Sequence, residues 1–110
     1  MRPPASRQRS YAAWAATELH PWPALSAKES STGTSFSVGG VEILRLSGVD
    51  RAMLRLTEPV IERLEPHLRP YAQVSVCPDR VWLLLRLDSE SDLQLLFALT
   101  SVAIKVHLER

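Results

Sequence analysis

The tripeptide Leu-Arg-Leu occurs three times, at Leu44-Arg45-Leu46, Leu54-Arg55-Leu56 and Leu85-Arg86-Leu87. Arginine is almost never fully buried without a partner, yet each of these stands between leucines that read as core. Side chains alternate across a strand, so leucines turned toward a core put Arg45, Arg55 and Arg86 together on the opposite face. Forked guanidinium donors sharing one surface are suited to holding a carboxylate, an enolate or another anion. By the same parity their company is Val41, Ile43, Ser47, Met53, Gln73, Ser75, Trp82 and Leu84, an unusually apolar surface to leave to water.

Three readings compete for this face. Solvated guanidinium heads with their stems laid over the apolar patch need no ligand at all. A small anionic or aromatic ligand would have Arg45, Arg55 and Arg86 to orient its charge, Trp82 to stack on it, Ser47 to add a hydrogen bond and Met53 as part of the floor. A contiguous apolar face rimmed by polar groups also suits a homodimer interface or a partner enzyme. A simple register across the "SGVD" turn sets Arg45 opposite Arg55, a like-charge contact that something must offset. Glu42 falls on the leucine side by alternation, where an edge position would expose it. If it is buried there its pKa rises and it becomes a proton carrier, although a salt bridge is the commoner fate.

Other residues offer less. His20, His67 and His107 are far apart and lack the spacing of a metal pair, so no metal is expected. Cys77 is the only cysteine, which excludes an internal disulfide, and a lone cysteine is usually a small buried hydrophobe. Asp50 and Asp79 are turn residues, and Ser47 has no evident base to make it a nucleophile. No glycine-rich nucleotide-binding spacing occurs, and no cofactor is implied.

The elements that must position the arginines follow from period and punctuation. The opening "MRPPASRQRS" is polar and without hydrophobic period, so residues 1–10 are expected to form a flexible arm and 11–110 a single domain. Ser10 caps a helix from Tyr11 to about Leu19, which "HPWP" ends, with His20 and Trp22 pushed to extended conformations by the prolines that follow them. Residues 26–33, "SAKESSTG", read as a polar loop. From Thr34 the period is two: "TSFSVGGVEILRL" is a hairpin turned at Gly39-Gly40, and "RAMLRL" is a third strand. Pro59 opens a helix capped by Thr57 or Glu58, with Val60, Ile61, Leu64 and Leu68 as its apolar stripe. A second hairpin, "YAQVSVC" to "RVWLLLRL", turns at "PD". "DSESD" starts a last helix, with Ser89 and Asp92 at capping-box spacing. The order α-β-β-β-α-β-β-α gives an α+β two-layer sandwich, with about five mainly antiparallel strands and helices on one face.

Composition narrows the function classes. The formal charge of +1 does not favour nucleic acid as a partner, although arginine outnumbers lysine 11 to 2. No apolar run stands out as membrane-spanning and no signal segment opens the chain, so the expectation is a cytoplasmic protein without a membrane partner.

The order and spacing of "WPAL", "GTSFSVGGVEILRL", "LRLTEPVIERL", "VWLLLRL" and "SESD" resemble the small actinobacterial luciferase-family proteins, also called luciferase-domain proteins. The likeness runs from about Trp14 to Ile104. Through the link of that domain to fungal luciferase, the resemblance implies cofactor-free attack of oxygen on an enolisable aromatic pyrone. Members commonly carry a His-x-His pair directly after the Glu-Ile strand, and often an acidic residue where Met53 stands. Here the pair is replaced by Arg45 and Ser47, so the family's chemistry does not carry over, while the location coincides with the face that parity selects. The expected function is binding of an anionic or enolisable aromatic-type metabolite of bacterial specialised metabolism, with or without cofactor-independent catalysis. The alternative is a non-catalytic interaction module that uses the same face.

Overall fold

The computed structural model describes residues 10–108. Residues 1–9, most of the expected flexible arm, lie outside them. Ser10 caps α1 (Tyr11–Leu19), its hydroxyl accepting from the Ala13 N–H at 3.0 Å. Four strands follow: β1 (Ser26–Ser30), β2 (Gly33–Val38), β3 (Val41–Ser47) and β4 (Arg51–Arg55). Then come α2 (Glu58–Leu68), β5 (Val74–Val76), β6 (Trp82–Arg86) and α3 (Glu90–Leu108). The strands form one antiparallel sheet in the order β1-β2-β3-β4-β6-β5, with the helices packed on one face. This is the expected α+β sandwich, with six strands in place of about five.

The added strand is β1, where the sequence reads as a loop. All five of its residues are exposed, and it is held by its backbone pairing to β2 alone. An edge strand that buries no side chain carries no alternation to be seen, and Lys28 at its centre is the sort of charge that keeps such an edge from pairing further. His20 also departs from expectation. It lies in the right-handed helical region at φ −55 and ψ −42, with its N–H donating to the Ala16 carbonyl at 3.0 Å. One more helical hydrogen bond outweighs the steric preference of a residue before proline, which is a bias and not a prohibition.

The six leucines flanking the arginines are all buried, together with Phe36, Ile43, Ile61 and Leu83. Alternation therefore sorts the sheet as expected, with the leucines under the helices. Across them α3 buries Leu93, Leu96, Leu99, Thr100 and Ala103, and α1 buries Ala12, Ala15 and Leu19. Trp22 packs beside Phe97 with ring centroids 6.1 Å apart, plugging the end of α1 against α3. By length and composition alone α3 could cross a membrane, but its packing on the sheet makes it a core helix of a globular domain. Its start is fixed by Asp92, whose carboxylate accepts from the Asp88 N–H at 2.8 Å and from the Gln73 amide, while the Ser89 hydroxyl accepts from the Asp92 N–H at 3.3 Å. The Ser89 and Asp92 spacing thus forms a cap, and Asp92 also ties β5 to the helix. At α2 the cap is different: Thr57 takes φ +84 and makes no side-chain capping bond, and Pro59 occupies the first turn.

Candidate functional site

The face without helices is built from lateral rows of paired residues. One row crosses all six strands as Lys28, Ser35, Arg45, Met53, Leu84 and Ser75. On one side of it Arg55 pairs with Trp82, and on the other Ser47, Arg51 and Arg86 lie side by side. Arg45 therefore stands opposite Met53 and not opposite Arg55. The connection between β3 and β4 has three residues, Gly48, Val49 and Asp50, because Ser47 pairs with Arg51, and this sets the register. The direct like-charge pair is instead Arg51 with Arg86, of which only Arg86 was singled out from the sequence. Asp88 offsets it, accepting from the Arg86 Nε at 2.8 Å; this bond, before the nearby charge, holds that guanidinium above its ordinary pKa.

A β-bulge decides what surrounds Arg45. Ser37 pairs with Glu42 and Phe36 with Leu44, which leaves Ile43 without a partner on β2. One extra residue reverses the alternation on its N-terminal side. Ile43 is consequently fully buried, and Val41 falls on the helix-packed side at the sheet end, 40% exposed. Neither belongs to the arginine face, contrary to simple parity. Glu42 is turned the other way, onto that face, where it accepts from the Arg45 Nε at 3.1 Å and Nη2 at 2.7 Å. The Arg45 hydrogen bonds hold the Glu42 carboxyl below its ordinary pKa against a smaller opposing effect of burial, with Ser35 and Arg55 adding to the lowering. Glu42 is therefore on the opposite face from the one alternation gives it, and of its two expected fates it takes the commoner, an ionised salt-bridge partner and not a buried proton carrier.

The sign of its pH dependence follows. A depressed folded pKa contributes stability that is fully present above the unfolded value, near 4.3 to 4.5, and lost as pH falls through the folded one. Glu42→Gln should remove this component, lowering stability at neutral pH by less than about 1 kcal/mol, because the pair is partly solvated. The difference between wild type and variant should shrink as pH is lowered below 4 in urea unfolding titrations. A difference that grows with acidity would contradict the pairing.

Trp82 is the centre of the remaining cluster. The Arg45 guanidinium carbon lies 5.3 Å from its ring centroid and that of Arg55 5.9 Å, both within cation–π range. The ring is positioned by the preceding turn, where the Asp79 carboxylate accepts from the Val81 and Trp82 N–H groups at 2.9 and 3.3 Å. Arg45 is neutralised by Glu42, whereas Arg55 has no ion-pair partner among the described residues. Beside Arg45 a shallow depression of about 170 Å³ is bordered by Lys28, Ser35 and Glu42. A second, of about 290 Å³, lies at the other end against Arg51, Arg86, Gln73, Ser75 and Leu84.

Of the residues singled out from sequence, Arg45, Arg55, Trp82 and Met53 come together on one part of the face. Ser47 and Arg86 belong to the row at its far end. Sequence reasoning does not find Lys28, whose strand reads as a loop, or Arg51, which does not sit between leucines, and it puts Glu42 on the wrong face because nothing in the sequence signals the bulge. The chain holds no group of three or more metal-ligating side chains among the described residues. Cys77 is half-buried, and burial, with the Asp79 carboxylate adding to it, pushes its thiol up, away from a reactive thiolate. No family model, curated protein or solved structure matches the chain.

Proposed function

We propose that this protein binds a small anionic molecule with an aromatic or enolised part on the open sheet face, with Arg55 and Arg45 holding the charge beside Trp82. The observation that carries the reading is Arg55, a guanidinium without a carboxylate partner among the described residues, set 5.9 Å from the centroid of a half-buried tryptophan. A bound carboxylate or enolate would complete its hydrogen bonding while the ligand ring lies against Trp82. Arg45 would act as the second, already paired cation, and Lys28 and Met53 would border the ligand. Binding is favoured over catalysis because Glu42, the carboxylate nearest these groups, is held ionised by Arg45 and is a weak base for removing a carbon-bound proton. A cytoplasmic setting and a role in specialised metabolism belong to the same proposal.

The test is calorimetry and thermal shift of wild type, Arg45→Gln, Arg55→Gln and the double variant against aromatic carboxylates and pyrones. Arg55→Gln should cost about 2 kcal/mol of binding energy, the scale of a charged hydrogen bond. Arg45→Gln should cost less, since Glu42 already takes two of its donors. The double change should fall short of the sum, because one ligand group couples the two. Equal affinity of all four proteins for a bound member of the panel would sink the proposal.

One observation favours a second reading, pairing of this face with a second copy: its two depressions, one at Arg45 and one between Arg51 and Arg86, are open, and Trp82 lines neither. Sedimentation decides between them. A wild-type dimer that Trp82→Glu converts to a folded monomer would make the face an interface.

A further inference from the structure

On the helical side of the molecule, away from the arginine face, α2 and α3 leave an open groove between them of about 420 Å³. Its walls are two aliphatic pairs, Val60 with Leu64 on α2 and Val102 with Val106 on α3, each pair one helical turn apart. Arg63 and Lys105 flank it, and neither has an ion-pair partner among the described residues. All four aliphatic residues are half-buried, and Val60, Leu64 and Val102 also pack against the core. α3, the one described helix both long and apolar enough to cross a membrane, packs on the sheet yet leaves Val102 and Val106 only half-buried on its groove side. Its apolar surface extends beyond what the sheet covers, the mark of a helix with a further contact to make.

The charges around the groove are segregated. At 100° per residue, with Ile61 and Leu68 toward the core, Val60, Arg63, Leu64 and His67 fall on the groove flank of α2. Glu58, Glu62 and Glu65 fall on the other flank, where Glu65 accepts from Arg80 at 2.8 Å. Among the described residues the groove side is therefore basic without an acidic counterpart. A second copy of this chain would bring cations against cations, so self-pairing here is disfavoured. Aliphatic pairs spaced one turn apart on both walls match the ridges of a third helix laid between them.

We infer that the α2–α3 groove docks an amphipathic helix of a partner protein, one that presents an aliphatic stripe flanked by acidic residues. The stripe would fill the space between Leu64 and Val102, and the flanking carboxylates would meet Arg63 and Lys105. This surface is independent of the sheet face and stands or falls separately from it.

The probe is a synthetic peptide of about 18 residues with leucines at i, i+4, i+7 and i+11 and glutamates on both flanks. A matched peptide carries lysines in place of the glutamates. Binding is read by fluorescence anisotropy and by amide chemical shifts of the full chain. The acidic peptide should bind saturably, with shifts centred on α2 and α3, and at least about tenfold more tightly than the basic one. The Arg63→Glu, Lys105→Glu double variant changes only exposed residues, so it keeps the fold, and it should reverse that preference. Val102→Asp, if folded, should abolish binding of both peptides. Absence of saturable binding to millimolar concentration, equal binding of the two peptides, or a preference unchanged by charge reversal would each overturn the inference.

Discussion

Replacing Ile43 by alanine should destabilise the protein by about 2 to 4 kcal/mol, whereas Val41→Ala, two residues away on the same strand, should cost less than about 1 kcal/mol. Ile43 is the unpaired residue of the bulge and is fully buried, while Val41 is 40% exposed at the sheet end. Truncating a buried isoleucine removes transfer free energy and leaves a cavity that a close-packed core does not fill. Against a total stability of about 5 to 15 kcal/mol the loss would be evident in urea or thermal unfolding. The comparison is a direct test of the bulge, because uninterrupted alternation would put Ile43 beside Arg45 on the open face. Equal and small costs at the two positions would remove the bulge, and with it the Glu42–Arg45 pair that conditions the candidate site.

Gly33→Ala should be comparably severe, at about 3 kcal/mol or more, for a different reason. Gly33 lies at the start of β2, between Ser30 and Ser47, with φ +152, a backbone conformation that favours glycine. A Cβ there would stand 1.9 Å from the Leu46 carbonyl oxygen, 2.9 Å from its carbon and 3.0 Å from the Ser47 Cα. These are all backbone atoms, so no flexible side chain can move aside, and β2 and β3 would have to separate beside the Lys28 depression. The hairpin glycines make the control. Gly39 and Gly40 have φ +59 and +84 with open space around them, so alanine there meets only the left-handed penalty of about 1 to 2 kcal/mol per residue. A melting temperature for Gly33→Ala no lower than that of Gly39→Ala would show that the strands part without cost, and the close approach would carry no weight.

The signals that were legible in the sequence are those whose cause is local. Three tripeptides flanked by buried leucines announce strands with one face in a core, and alternation alone placed Arg45, Arg55, Met53, Trp82 and Leu84 on the opposite face. Gly39-Gly40 announced its hairpin because its turn needs positive φ at both positions. Ser10 announced a helix start, and Pro59 another, by the backbone donors they satisfy or lack. Chemistry was legible only as residue types: guanidinium groups near a tryptophan, no metal set and a single thiol.

What tertiary structure alone decided is which of those residues meet. The strand at Ser26–Ser30 is held by its partner's backbone and buries nothing, so no pattern in its own residues marks it, and Lys28 joins the face only through that pairing. The separation of Arg45 from Arg55, and the pairing of Arg51 with Arg86, depend on how many residues the β3–β4 connection uses, which is set when the strands dock. The bulge at Ile43 is the clearest case. Alternation has a period of two, so a single unpaired residue exchanges the faces of everything before it. Burying Ile43 under the helices and leaving Glu42 beside Arg45 is favoured by contacts that come from distant parts of the chain. A local pattern registers that a residue has two faces to choose from; only the packed partners on each side determine which it takes.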